Sequence, residues 1–96
     1  MTSKQRVYLR ALANTVESIF QVGKNGMSEN FLKQVDEALE ARELIKINVL
    51  GNASTDVRDI CGMIGKETNA YLVQVIGSKC VLYRVSKNHK TIVLPK

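Results

Sequence analysis

Val22-Gly23-Lys24-Asn25-Gly26-Met27-Ser28-Glu29-Asn30-Phe31 is the stretch in which this chain passes from strand to helix periodicity. Ahead of it, Val16 to Val22 is β-branched and aromatic, with a polar break at Glu17-Ser18, and reads as a strand. Behind it, Phe31, Val35, Ala38, Leu39 and Arg42 follow i, i+4, i+7, i+8 and i+11, one face of a helix with acids on the other side. The spacing predicts a helix over Ser28 to Arg42, with Ser28 as its cap and Glu29 in its first turn.

Two glycines three apart let the backbone approach a ligand closely. The helix that follows directs free N–H groups and its positive dipole end at the same place, and Lys24 adds a mobile full charge. That combination suits a nucleic-acid phosphate. A GxxG by itself is also what a strand-to-helix turn needs for purely steric reasons, and Glu29 sets a negative charge one turn away. Met27 and Ser28 after Gly26 exclude GxxxxGK[ST], and there is no GxGxxG, which argues against a mononucleotide or dinucleotide loop.

Outward from the loop, Thr2 or Ser3 caps a first helix running to about Asn14. Its stripe is Tyr8, Leu9, Leu12 and Val16; Arg6 and Arg10 share a face. Leu44 to Leu50 alternates, Ile45, Ile47 and Val49 one way, Lys46 and Asn48 the other. Gly51-Asn52 is a turn, and Ser54 caps a third helix from Thr55 to about Thr68 with Val57, Ile60, Cys61, Ile64 and Thr68 buried. Gly62 and Gly65 each cost roughly 1 kcal/mol against Ala in that helix and leave room for close packing. Tyr71 to Ile76 and Lys79 to Val85 form a hairpin across Gly77-Ser78, and Thr91 to Leu94 adds a short edge strand before Pro95. The order α-β-α-β-α-β-β implies an α/β fold: one small domain with a four-stranded mixed sheet, the second and third helices against it, and the loop at a strand end, where open sheets bind ligands.

Ninety-six residues, 45% apolar and 24% charged with one proline, make a single globular domain over 1–96. The N-terminus has no apolar signal segment and no run nears the ~20 residues of a membrane span; the expectation is a cytoplasmic protein with no membrane partner. Cys61 and Cys80 sit in apolar patterns and read as two buried thiols in a reducing cytosol. Without CxxC and with one histidine, a zinc site is disfavoured, and no cofactor is expected. Charge is unevenly distributed. Residues 1–28 carry a net +3, residues 29–43 a net −3, residues 44–69 zero and residues 70–96 a net +5. If the two basic ends meet, they form one positive face that attracts phosphates; the alternative is lysines that merely keep the domain soluble.

Four stretches carry a family resemblance: Lys4 to Ala13, Gln21 to Gly26, Ala38 to Lys46, and Val73 to Gly77 running on to Val81-Leu82-Tyr83-Arg84. In this order and spacing the chain resembles the bacterial YhbY family, stand-alone CRM domains, over about its whole length. The resemblance implies a fold similar to the C-terminal domain of translation initiation factor three. It also implies RNA binding through the GxxG loop and neighbouring basic surface, and association with precursors of the large ribosomal subunit in ribosome biogenesis. Ser18 departs from the proline often found shortly before the loop strand, which leaves the start of that strand open.

KH domains clamp about four backbone nucleotides with a GXXG loop; the chemistry transfers here, not the KH fold. Gly23 and Gly26 let amides reach a phosphate, Lys24 neutralises it, Asn25 donates to phosphate or a 2′-OH, and Arg6, Arg10, Arg84 and Lys87 extend the track. Tyr8, Tyr71 and Tyr83 are candidates for stacking on bases, against the commoner use of aromatics in cores. The partner is then RNA, ribosomal RNA of the large-subunit precursor, and no small molecule. An enzyme is not expected: His89 lacks a positioned partner, and Glu37, Glu40 and Glu43 read as a solvated helix face rather than a metal site. The remaining alternatives are a protein-interaction adapter of the translation machinery using the acidic second helix, and binding to duplex DNA.

Overall fold

In the computed structural model, which describes residues 1–23, 28–50 and 57–96, the elements are α1 (Ser3–Ala13), β1 (Ser18–Val22), α2 (Glu29–Arg42), β2 (Leu44–Val49), α3 (Val57–Thr68), β3 (Tyr71–Ile76) and β4 (Lys79–Tyr83). Thr2 caps α1 through a reciprocal box, its hydroxyl accepting from the Gln5 N–H while the Gln5 side chain accepts from the Thr2 N–H. Ser28 caps α2 by accepting from the Phe31 N–H. The expected capping of α3 by Ser54 lies outside the described residues. Gly77 takes φ +57°, the first-position conformation that the β3–β4 hairpin requires.

The strands are ordered β1-β2-β4-β3, with β1 parallel to β2 and the other pairs antiparallel, the mixed four-stranded sheet that the pattern implies. Helices cover both faces. Val35 and Leu39 of α2 and Ile60, Cys61 and Ile64 of α3 pack on Ile45, Ile47, Cys80 and Leu82. Gly65 belongs to this contact, because a Cβ there would stand 3.1 Å from the Ala70 carbonyl oxygen. On the opposite face, Leu9 and Ala13 of α1 pack on Leu44, Val73, Val81 and Tyr83. The stripe of α1 is therefore Leu9, Leu12 and Ala13, and Tyr8 is 40% exposed rather than part of it.

Residues 91–94 do not form the expected edge strand. The first two of their backbone donors go to a side chain: the Glu43 carboxylate accepts from the N–H groups of Thr91 and Ile92, and also from that of Ser86. Ile92 and Leu94 then pack beside Leu12 and Val16, and Gln5 donates to the Pro95 carbonyl. The two chain ends thus meet, as the charge distribution allowed. The cysteines correct another expectation. Both are fully buried, but Cys61 and Cys80 are joined in a disulfide, their Cα atoms 6.5 Å apart. The face that α3 turns to the sheet sets Cys61 against β4, a juxtaposition that the sequence spacing does not reveal. Among the described residues, no helix is long and apolar enough to cross a membrane.

Candidate nucleic-acid interface

Strand register decides which polar residues share a surface. Val81 packs under α1, so its cross-strand partners Lys46 and Gln74 lie on the α1 face. The next row on that face is Gln21, Asn48, Lys79 and Ile76. The helical part of α1 ends at Ala13, with Asn14 bordering a shallow recess shared with Lys46, Gln74, Ile76 and Lys79. The sheet beyond α1 is left open to solvent, and Ile76 is 62% exposed there. Ser78 donates to Asn48 at 2.9 Å, tying the hairpin turn to β2 within this row.

The same end of the sheet carries the glycine loop. β1 runs parallel to β2 and delivers Gly23 directly after Val22, while the Leu50 N–H donates to the Val22 carbonyl. Gly23 has no positive φ, and a Cβ added to it meets nothing within 4 Å. Among the described residues, then, nothing crowds Gly23. Lys24, Asn25 and Gly26 lie outside the described residues. Among the described residues, only Arg84 and His89 have a carboxylate within ion-pair reach; Lys79 is exposed and Lys46 half-buried.

The expected track divides. Arg6 and Arg10 project from α1 beside β3, the sheet edge opposite β1. Arg6 lies over the Tyr71 ring, 5.4 Å from its centroid, and donates to the Tyr71 hydroxyl. Arg84 is built into the fold. Its guanidinium reaches Asp36 Oδ1 at 2.5 Å, the Asp36 carbonyl at 2.9 Å and the Thr68 carbonyl at 2.7 Å. Lys87 borders a recess with Asp36, Glu40, Asn69 and Arg84, on the α2 side of the molecule. Arg84 and Lys87 therefore do not join the loop and α1 in one surface, because the chain leaves β4 at the end away from the Gly77 turn.

The acidic helix is also occupied. Glu40 accepts from the Lys87 and Asn88 N–H groups and the Ser86 hydroxyl, which hold its pKa down at about 2. Burial raises the pKa of Glu43, but the N–H groups of Ile92, Ser86 and Thr91 together outweigh it and the net shift is downward. Tyr83 is 7% exposed inside the α1 core, which removes it as a base-stacking platform. Its hydroxyl pKa is raised by burial and by the Glu43 charge. Tyr8 remains at the surface and Tyr71 is half-buried beneath Arg6.

Lys46 and Lys79 did not figure among the expected site residues. Their signal was present, since Lys46 opposes Ile45 and Ile47 in the alternation, but only the sheet order shows that α1 leaves this part of the face open.

The described residues define a small α/β domain with basic residues on one sheet face at the strand end that leads into Gly23. The CRS1 / YhbY (CRM) domain family matches residues 1–84, and the chain belongs to it. It is 48% identical over 95 residues to "Probable RNA-binding protein YqeI" of Bacillus subtilis, covering 99% of each chain. It is 38% identical over 96 residues to an "RNA-binding protein" of Haemophilus influenzae, covering 100% of this chain and 96% of that one. The solution structure of SAV1595 from Staphylococcus aureus shares 49% identity, with a TM-score of 0.83 and 99% of each chain covered. The family match ends at residue 84, before the segment that Glu40 and Glu43 hold.

Proposed function

We propose that this protein binds RNA backbone across the open half of its α1-side sheet face, and that the RNA belongs to precursors of the large ribosomal subunit, whose assembly it assists. The observation that carries the reading is the row Gln21, Asn48, Lys79 with Lys46 behind it, uncovered and adjoining the strand end that delivers Gly23. Lys24, Asn25 and Gly26 supply the loop contacts, and Arg6 and Arg10 continue the basic surface to the far edge. The family and the names of its relatives support RNA as the polyanion. Arg84 is assigned to tying the end of β4 to α2 and α3, and Lys87 to flanking that contact.

The adapter reading loses ground because two acids of the second helix are used internally, Asp36 on Arg84 and Glu40 on the 86–88 backbone.

Fluorescence anisotropy with a single-stranded ribosomal RNA fragment tests the reading. About four neutralised phosphates give a log–log salt slope of about −3. Lys24→Ala and the pair Lys46→Ala/Lys79→Ala each weaken binding with Tm unchanged; wild-type affinity in both removes this surface from the mechanism. Equal competition by DNA of matched length supports duplex binding instead. Sedimentation with large-subunit particles at low salt tests the ribosomal part.

A further inference from the structure

We infer that the cleft where α1, β3 and α3 meet is a phosphate-binding pocket, and that it holds one phosphate group of the bound RNA; this rests on the RNA reading above. Arg6 and Arg10 approach from α1 on one face of the sheet, and Arg58 from the first turn of α3 on the other. Between them runs β3, the edge strand of the sheet among the described residues. The cavity they line measures about 330 Å³, and β3 contributes Leu72 to Val75, the residues around its register shift.

Three exposed guanidinium groups from two helices on opposite faces converge on this one recess. Guanidinium presents paired donors that match the oxygens of a phosphate, which is why arginine is the residue of such sites. Arg6 is already oriented by its stacking on Tyr71 and its bond to the Tyr71 hydroxyl, so less freedom is lost when an anion arrives. The outward N–H groups of an edge strand add unpaired donors beside the cations. The pocket lies across the sheet from Gly23, separated from β1 by three strand spacings, about 14 Å across the sheet, and displaced along the strands as well. An RNA strand touching both must cross the Lys46–Lys79 row.

The test is side-chain Nε NMR of the full chain titrated with inorganic phosphate, together with RNA affinity of Arg58→Gln, using oligonucleotides with a 5′-phosphate and with a 5′-hydroxyl. The pocket predicts saturable shifts of Arg6, Arg10 and Arg58 with phosphate. It also predicts about a five- to tenfold weaker RNA affinity in Arg58→Gln, a salt slope shallower by about 0.7, and an unchanged Tm. A gain confined to the 5′-phosphorylated RNA identifies a terminal phosphate as the occupant, and equal binding identifies an internal diester; both support the pocket. If wild type binds RNA and Arg58→Gln binds it with the same affinity and slope, the pocket is overturned and the RNA reading stands. If wild type binds no RNA, both fall.

Discussion

The Glu43 carboxylate lies 2.8 Å from the backbone nitrogen of Ile92, 49 residues further along the chain. That contact, repeated at Ser86 and Thr91, makes one fully buried side chain the anchor of the whole C-terminal segment. Glu43 also stands at φ +67° after α2, a conformation that favours glycine. The carboxylate outweighs the backbone cost. Glu43→Ala, which orphans three N–H groups, lowers stability by about 3–5 kcal/mol, and Glu43→Gly, although it relaxes the backbone, also falls well below wild type. Urea denaturation measures both. A glycine variant as stable as wild type would refute the anchoring role.

Acid weakens this anchor with a definite sign. Glu40 is held at about 2, below its ordinary 4.5, by the Lys87 and Asn88 N–H groups and the Ser86 hydroxyl, and the net shift at Glu43 has the same direction. Glu40 contributes stability that is fully present above pH 4.5 and is lost as the pH falls toward about 2, and Glu43 contributes with the same sign. Melting temperature measured from pH 6 to pH 2 is expected to decline over that window. Glu40→Gln flattens the decline, and an equally steep limb in that variant counts against the assignment.

Ser18 opens β1 with a buried hydroxyl that has no hydrogen-bond partner among the described residues. Leaving such a group unsatisfied costs about 1–3 kcal/mol. Ser18→Ala removes the group without adding volume and is expected to raise stability by about 1 kcal/mol, read as a higher urea midpoint at constant m-value.

Arg84 makes three bonds that depend on a planar fork, two to Asp36 and one to the Thr68 carbonyl. Lysine cannot reproduce them. Arg84→Lys is expected to lower stability by about 1–2 kcal/mol while leaving the RNA affinity of the folded protein unchanged. A loss of affinity without a loss of stability returns Arg84 to the RNA surface.

Much of the fold was legible because single residues carry local signals. Thr2 and Ser28 cap where their side chains allow, the α3 stripe from Val57 to Thr68 is buried as its spacing indicates, and Gly77 turns the hairpin. What escaped depends on contacts across the chain. Thr91 to Leu94 has strand composition, but its first two donors go to Glu43, a helix-end acid that looks solvated in sequence. Cys61 and Cys80 look like independent core residues until α3 is laid on β4. In the candidate site, the charge pattern indicated a basic protein, and the sheet order determines which cations share a surface: Lys46 with Lys79, Arg58 with Arg6, and Arg84 with neither group.

The ladder at the middle of the sheet pairs Leu44 with Tyr83 and Asn48 with Lys79. A nascent chain therefore cannot zip its central strands until residue 83 has left the ribosome, and β1 and β2, the earliest pair available, lack their partner until then. Folding of this domain must follow synthesis through β4, which favours collapse as one unit over stepwise assembly strand by strand.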